Sequence, residues 1–567
     1  MKLTSQLIAI VLLASITCFG QKKTQEFHSS NSEFAAQSKK VDSLFIHLNR
    51  KNAPGVIVAV VKDGSVVFKK AYGMANLEYG IPIDSSTVFD VASIAKQFVG
   101  FAISMLVEQG KISLHDDIRK YIPEFPDFGH KITIDHLVHH TSGLRDWPDL
   151  LGMKCQLEDD PISFKEILSL TYSQKELNFT PGSKFNYCQS GYNVLVDLVE
   201  RVTGKSFREW TDTNIFQPLN MNHTHFKDDN SEIFKNKANG YFLQDSIYHV
   251  NTNNLTAIGS SSLYTTMDDF IKWSINMQNP TAGSKNIINR MMQDTVIIRE
   301  KVSYGIGIGL AINNGINVVF DRGGWVSFLA SSIYCPDDKL SIITFSNDKD
   351  FIPEPFVREI AKIYLKDKFI ETPEENKIDE ETKEKKFTPN QLSGWYYSRD
   401  LGRFIEVKPN NDSLIIRPVW LDDALTYGNT SGNTYKTPNQ SDIQMTFSDL
   451  KDGYAQKLTT IQNFETVWER KEKPNWPNVK LEDYTGTFYC EELTLTYKLT
   501  VIEGKLTVTQ ERAGNFSLTP YKKEQFLDLE HAPQIREVDF IRDSKNKIIG
   551  CKMSGIQIRN LHFKKVE

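Results

Sequence analysis

Ser93-Ile94-Ala95-Lys96 opens an apolar run that reads as one helix, from Ser93 to about Glu108. Phe98, Val99, Phe101, Ala102, Met105 and Leu106 make that run apolar enough to bury the tetrad at its start. Positions i and i+3 share a helix face, so the Ser93 hydroxyl and the Lys96 amine are placed to meet. Burial lowers a lysine's proton affinity. A neutral amine can then take the proton of a serine hydroxyl, which is what turns serine into a nucleophile. Free N–H groups at the helix start can also hold a developing oxyanion. On its own the tetrad reads by default as an ordinary helix start, and its neighbours raise the catalytic reading.

At 567 residues the chain is long enough for three or four domains, and 40% hydrophobic and 11% aromatic residues supply sizeable cores. A net charge of −5 and the absence of a basic patch interleaved with aromatics give no sign of a nucleic-acid partner. Residues 1–20 read as a signal peptide: Met1-Lys2 carries charge, Leu7 to Ile16 is a short apolar core, and Cys18-Phe19-Gly20 puts small residues before Gln21. The expected location is therefore exported, periplasmic or extracellular. Cys18 raises a lipid anchor, which Ser15-Ile16-Thr17 disfavours by lacking an aliphatic residue three places upstream. No later segment reaches the roughly 18 apolar residues of a membrane span. Cys155, Cys188, Cys335, Cys490 and Cys551 are too sparse for a disulfide framework and read as buried thiols, with a Cys490–Cys551 bridge as the alternative.

Residues 21–36 are polar and read as disordered; residues 38–367 mix helices and strands. Val41 to Asn49 looks amphipathic, and Gly55 to Val61 and Ser65 to Ala71 form a hairpin around Asp63-Gly64. Gly305 to Leu310, Val318 to Phe320, Phe328 to Tyr334 and Leu340 to Ser346 read as further strands, and Pro355 to Leu365 as a closing helix. Strands at both ends with helices between imply an α+β domain whose antiparallel sheet is completed by distant segments. Residues 368–388 are a charged linker, from which the units beyond it are expected to fold independently.

Past the linker the texture becomes short β runs and turns, and it repeats. Leu392-Ser393-Gly394-Trp395-Tyr396-Tyr397 parallels Tyr484-Thr485-Gly486-Thr487-Phe488-Tyr489, and Val467-Trp468-Glu469-Arg470 parallels Leu561-His562-Phe563-Lys564. Two all-β barrel-like units follow, at 389–473 and 480–567.

Four further segments fall in an order that fits one active site. Ile132-Thr133-Ile134-Asp135-His136-Leu137 leads to the turn His140-Thr141-Ser142-Gly143-Leu144. Tyr187-Cys188-Gln189 precedes Ser190-Gly191-Tyr192; Gly259 precedes Leu263-Tyr264-Thr265-Thr266-Met267; Asp321-Arg322-Gly323-Gly324-Trp325 comes last. With the tetrad, these resemble the serine β-lactamase and penicillin-binding-protein superfamily, in its class C and esterase-like branch, over about residues 38–367. The order of a Ser-x-x-Lys domain and two barrels is similar to that of bacterial D-aminopeptidases.

The resemblance implies a β-lactamase-like domain, an antiparallel sheet flanked by helices, followed by the two β-barrel units. It carries the nucleophile onto Ser93, the base onto Lys96 and a proton relay onto Tyr187, where a phenol beside a cation either ionises or passes a proton. The Ser93 and Gly324 N–H groups become the oxyanion donors, and Gln189, Asp321, Arg322 and Gly323 the substrate-binding positions. Two of these depart from the family pattern. Gln189 stands for Asn, and Asp321 stands where the family has a cation. Arg322 replaces that cation only if the strand bulges or twists, because side chains alternate faces.

The implied activity is that of an exported serine hydrolase of small esters, amides or D-residue peptides, with a small-molecule or peptide substrate, peptidoglycan-derived in one reading. No cofactor and no metal are expected. The adjacent His139-His140 lack a carboxylate-rich cluster, and Gly305-Ile306-Gly307-Ile308-Gly309 reads as strand glycines rather than a dinucleotide loop. Cys188 reads as a buried thiol. The rival class is a non-catalytic binding or sensor protein that keeps the fold.

Overall fold

A computed structural model describes residues 34–368, except 157–158 and 314, and residues 386–566 apart from 399–402, 420–423, 437–443, 462–464, 474–477, 511, 513 and 529–534. The signal peptide, Cys18, most of the 21–36 tail and nearly all of the charged linker lie outside the described residues.

The first domain is built on an eight-stranded antiparallel sheet. Its order is Val296–Arg299, Val302–Tyr304, Gly309–Asn313, Ile316–Trp325, Phe328–Cys335, Leu340–Ser346, Val56–Lys62 and Ser65–Tyr72. The first hairpin thus closes against the last strands, as the sequence implied. Val56–Lys62 is apolar on both faces because both are covered. Val56, Val58 and Val60 enter a core beneath the terminal helices Ala35–Phe45 and Pro353–Leu365, while Ile57, Ala59 and Val61 enter the main core on the other side. That main core surrounds the helix Lys96–Glu108, which is buried from Lys96 to Leu106. Phe98 and Phe101 pack on Trp273, with ring centroids 4.3 and 5.4 Å away.

Two local expectations are corrected. The α-helix starts at Lys96, not Ser93; residues Ala92–Ala95 form a tighter 3₁₀ turn ahead of it. Residues 305–308 are a loop and not a strand, which resumes at Gly309. The glycines serve a crossing of backbones. A Cβ on Gly307, at φ +79°, would lie 2.4 Å from the Lys96 carbonyl oxygen, and one on Gly100 would lie 2.3 Å from that of Ile306.

The repeat resolves into two closed eight-stranded antiparallel barrels, Gly394–Lys471 and Gly486–Lys565. Gly394 pairs with Val407 and Gly486 with Leu499, the same offset in each unit. The first barrel has its own core around Tyr396, Ile405, Leu414 and Phe447. The second packs against the first domain. Its interior residues, among them Phe488, Leu499 and Phe563, form one cluster with Trp147, Leu150, Leu151 and Met153 of the first domain. Cys490 and Cys551 are buried and unbridged within it.

A buried ion pair fastens this contact. Arg145, 0% exposed, donates to the Glu492 carboxylate, 3% exposed, at 2.6 Å, and also to the carbonyls of Arg559 and Asn560. Removing one member of such a pair leaves a buried charge uncompensated, at a cost of about 3–5 kcal/mol. Glu492→Ala is expected to lower stability by that amount in urea unfolding. A change under about 1 kcal/mol would mean that the contact opens readily to water. No helix of the described residues is long and apolar enough to cross a membrane.

Candidate active site

The turn Ala92–Ala95 is held in an unusual conformation. Ala92 has φ +45°, a left-handed value costing about 1–2 kcal/mol for a residue with a Cβ. The Ala92 N–H donates to Asp90 Oδ1 at 2.8 Å, and Asp90 Oδ2 accepts from Asn253 Nδ2 at 2.7 Å. This buried support aims Ser93, which is half-buried, while Lys96 behind it is fully enclosed.

Lys96 Nζ lies 3.1 Å from Ser93 Oγ and donates to the Ser260 carbonyl at 2.7 Å. Ser260 follows Gly259, which sits at φ +91° against the helix Gln189–Thr203, where a Cβ would lie 2.2 Å from Val196 Cγ2. The ammonium also stands 4.9 Å from the Tyr187 ring centroid and 5.8 Å from that of Tyr192. Burial pushes Lys96 below the ordinary lysine value, while the charges of Asp321 and then Asp146 hold its proton on. Tyr187 is in hydrogen-bonding reach of Ser93. Burial and the Asp321 charge push its phenol well above the usual value, so it is a neutral donor and acceptor and not a phenolate.

Two residues that sequence reasoning left without a role in the site clamp the Tyr187-Cys188-Gln189 segment. The His140 carbonyl accepts the Asn186 N–H at 2.8 Å, and its ring Nδ1 accepts the Cys188 N–H at 3.0 Å. Burial and the Lys96 charge keep that imidazole neutral, and it packs on the Tyr187 ring at 4.3 Å between centroids. Asp146 Oδ1 accepts the N–H groups of Gln189 (2.7 Å), Ser190 (2.9 Å) and Trp147 (3.2 Å), capping two helices at once. Burial still raises Asp146 to about 6. Cys188 Sγ faces the Leu144 carbonyl and Asp146, and burial together with Asp146 pushes the thiol well above its usual value, so it is no nucleophile. The Gln189 side chain is half-buried at the first turn of its helix.

The third motif lies on the strand Ile316–Trp325. That strand pairs with Gly309–Asn313 only as far as Phe320, so Asp321–Trp325 run on past the neighbour's end and lie against the turn that carries Ser93. The approach is close at Gly323, where a Cβ would sit 1.9 Å from the Val91 carbonyl oxygen and 3.3 Å from the Ser93 nitrogen. No residue but glycine fits. Gly324 follows it, one residue along this edge. Asp321 and Arg322 take opposite faces. The Asp321 carboxylate turns inward, and Lys96 is the charge that most favours its ionised form against burial, which pushes it up. Arg322 turns out to solvent and pairs with Glu354 at 2.9 Å. This corrects Arg322 as a substrate-binding cation: no bulge turns the strand at that point, so alternation carries the guanidinium away.

Asp135, His139 and Asp294 bring three potential ligand atoms, two carboxylate oxygens and one ring nitrogen, within 4.8 Å of one another. Both ring nitrogens of His139 are already engaged, by Asp135 at 3.0 Å and the Asp294 carbonyl at 2.9 Å.

The order and the geometry of these segments match a described group of proteins. A model of the beta-lactamase family aligns with residues 41–363, more than half of the chain. The chain belongs to the beta-lactamase family. Protein Flp of Staphylococcus aureus (strain MRSA252) is 26% identical over 325 residues, which cover 56% of this chain and 64% of Flp. The D-aminopeptidase of Brucella anthropi is 27% identical over 300 residues, covering 52% of this chain and 56% of that protein. The chain thus spans less than two thirds of either relative's length. Among solved structures, the octameric penicillin-binding protein homologue from Pyrococcus abyssi shares the fold, with a TM-score of 0.55 and 22% identity, over 76% of this chain and 99% of that one. The half-buried Gln189 and the inward-facing Asp321 are the two departures of this site from the expected pattern.

Proposed function

We propose that this member of the family is an exported serine hydrolase that works through an acyl-enzyme on small esters, amides or D-residue peptides. The observation that carries the reading is the 3.1 Å contact between a half-buried Ser93 hydroxyl and a wholly buried Lys96 amine, with the neutral Tyr187 phenol beside both. In the proposed reaction Ser93 Oγ attacks the carbonyl carbon and its proton passes to Lys96. The Ser93 and Gly324 N–H groups hold the oxyanion. The bond to the leaving group then breaks, and Tyr187 relays the proton from Lys96 to the departing oxygen or nitrogen. Water attacks the acyl-enzyme by the same route in reverse and frees Ser93. His140 and Asp146 act as positioning residues, since they hold the Tyr187 segment without facing the carbonyl. The D-aminopeptidase relative supports amide and peptide substrates for this chain.

The same Asp321 supports one other reading, a non-catalytic binding or sensor protein, because an anion there keeps Lys96 protonated. Turnover separates the two. Two unit charges about 4 Å apart interact by roughly 4 kcal/mol at an effective dielectric near 20. Arg322, paired with Glu354, does not offset the repulsion of a ligand carboxylate by Asp321. The expected result is that a nitrophenyl ester is hydrolysed with a higher kcat/KM than a chromogenic cephalosporin, and that Asp321→His raises the cephalosporin value by at least about tenfold. Efficient cephalosporin turnover that ignores the substitution contradicts the placement of Asp321, and turnover of neither substrate favours the binding protein.

A further inference from the structure

We propose that Asp90 and Asn253 form a buried positioning pair that holds the nucleophile Ser93 and the base Lys96 in register with each other. The proposal rests on the serine-hydrolase reading above and adds two residues to that site; neither touches the reacting atoms.

Asp90 ends the short strand Val88–Asp90, opposite Tyr264 of the strand Leu263–Thr266, and is 1% exposed. Its two oxygens serve two different segments. Oδ1 accepts the Ala92 N–H at 2.8 Å, and Oδ2 accepts from Asn253 Nδ2 at 2.7 Å. The first bond acts on the turn that carries Ser93. Ala92 is left-handed there, and such a conformation persists only where its surroundings over-determine it. The second bond leads to the base. Asn253 Oδ1 accepts the Leu255 N–H at 3.1 Å, and Leu255 opens a tight turn that returns at Ser262. Ser262 Oγ closes that turn, accepting the Ala257 N–H at 2.9 Å and donating to the Leu255 carbonyl at 3.3 Å. The Ser261 N–H donates to the Ala257 carbonyl at 2.9 Å. Within this turn sits the Ser260 carbonyl, which accepts from Lys96 Nζ at 2.7 Å. One carboxylate and one amide thus connect both reacting side chains through fixed backbone.

Charge and donor count make the pair specific. Lys227, 3% exposed, donates to the Asn253 carbonyl at 3.3 Å and stands 5.8 Å from the Tyr264 ring centroid. Burial pushes Asp90 up to about 6, and the Lys227 and Lys237 charges act against that push, so at pH 8 the carboxylate is ionised and only accepts. Asn253 is the matching partner because its amide both gives and takes. Nδ2 donates to Asp90 and to the Tyr264 hydroxyl at 3.2 Å, while Oδ1 accepts from Leu255. The 3.1 Å contact between Ser93 and Lys96 is where a loss of register shows, since a displacement of about 1 Å costs on the order of 10² in rate.

The test exchanges the two side chains. The full chain is assayed with p-nitrophenyl butyrate at pH 8, as wild type, Asp90→Asn, Asn253→Asp and the double variant that carries both. Labelling to completion by a fluorophosphonate counts intact sites, so kcat is expressed per labelled Ser93. Asp90→Asn sets amide against amide, and Asn253→Asp sets carboxylate against carboxylate. Each is expected to lower kcat per site about 10²-fold, with KM changed by less than about threefold. In the double variant the amide and the carboxylate have changed places, a donor again meets an acceptor, and kcat per site should return to within about fivefold of the wild type. Asn253→Ala leaves the Ala92 bond in place and stands independently of whether Asp90→Asn folds; it should lower kcat per site by about tenfold or more. Single variants that lose labelled sites or melting temperature but keep the wild-type kcat per site assign the pair a structural role alone and overturn the proposal. A double variant no better than the poorer single one also overturns it, and both results leave the hydrolase reading intact. A wild type that neither turns over the ester nor labels at Ser93 overturns both.

Discussion

Lys96→Met is expected to lower kcat/KM for a nitrophenyl ester by about 10²- to 10⁴-fold, the usual contribution of a positioned general base. Methionine keeps most of the buried volume, so the core around the helix Lys96–Glu108 is disturbed little. What is lost is the proton acceptor 3.1 Å from Ser93 Oγ. The pH profile makes this specific. In the wild type the base works only when neutral, so activity rises with pH through the Lys96 transition. Burial places that transition below the roughly 10.4 of a free lysine, and Asp321 and Asp146 pull it part of the way back. Asp321→Asn removes one of the two charges that hold the proton, and the limb should move to lower pH. Lys96→Met should lose the limb altogether. A profile that keeps the same rising limb in Lys96→Met would assign the base to another group.

The site was legible in the sequence where its chemistry is local. Ser93 and Lys96 are three residues apart, and the spacing that would align them on an α-helix also serves the 3₁₀ turn that is found there. Gly323 was marked by its motif, and its closeness to Val91 shows why a side chain is excluded. Tyr187 was readable only through the resemblance to a family, because nothing in its neighbours sets it apart from a core tyrosine. Asp146 carried only a local signal, that of a helix N-cap before Trp147-Pro148. Its second function is to accept backbone N–H groups more than forty residues away, and no spacing encodes that.

The same divide runs through the fold. Strand-like runs flanking the Asp63-Gly64 turn marked the first hairpin, and the barrel repeat marked two equivalent units with the same strand register. The docking of the second barrel has no signal in the sequence, because a charged linker reports only on itself. The Arg145–Glu492 pair and the shared cluster around Trp147 join residues more than three hundred positions apart. The glycines at 305–309 misled for a related reason. Strand glycines and glycines that let a loop cross a helix look alike until the helix is in place.

The second large effect belongs to the nucleophile, and it tests the central claim. Ser93→Ala removes the only group proposed to form the covalent intermediate, and a loss on the order of 10⁴-fold or more in kcat is expected. His140, Tyr187 and Lys96 pack on one another without the hydroxyl, so the variant should keep its fold. The direct measurement is intact-protein and peptide mass spectrometry after reaction with a fluorophosphonate probe. One adduct per chain is expected, located on Ser93 and absent from Ser93→Ala. Labelling of the variant at the same stoichiometry, or an adduct on another residue of the wild type, would contradict it.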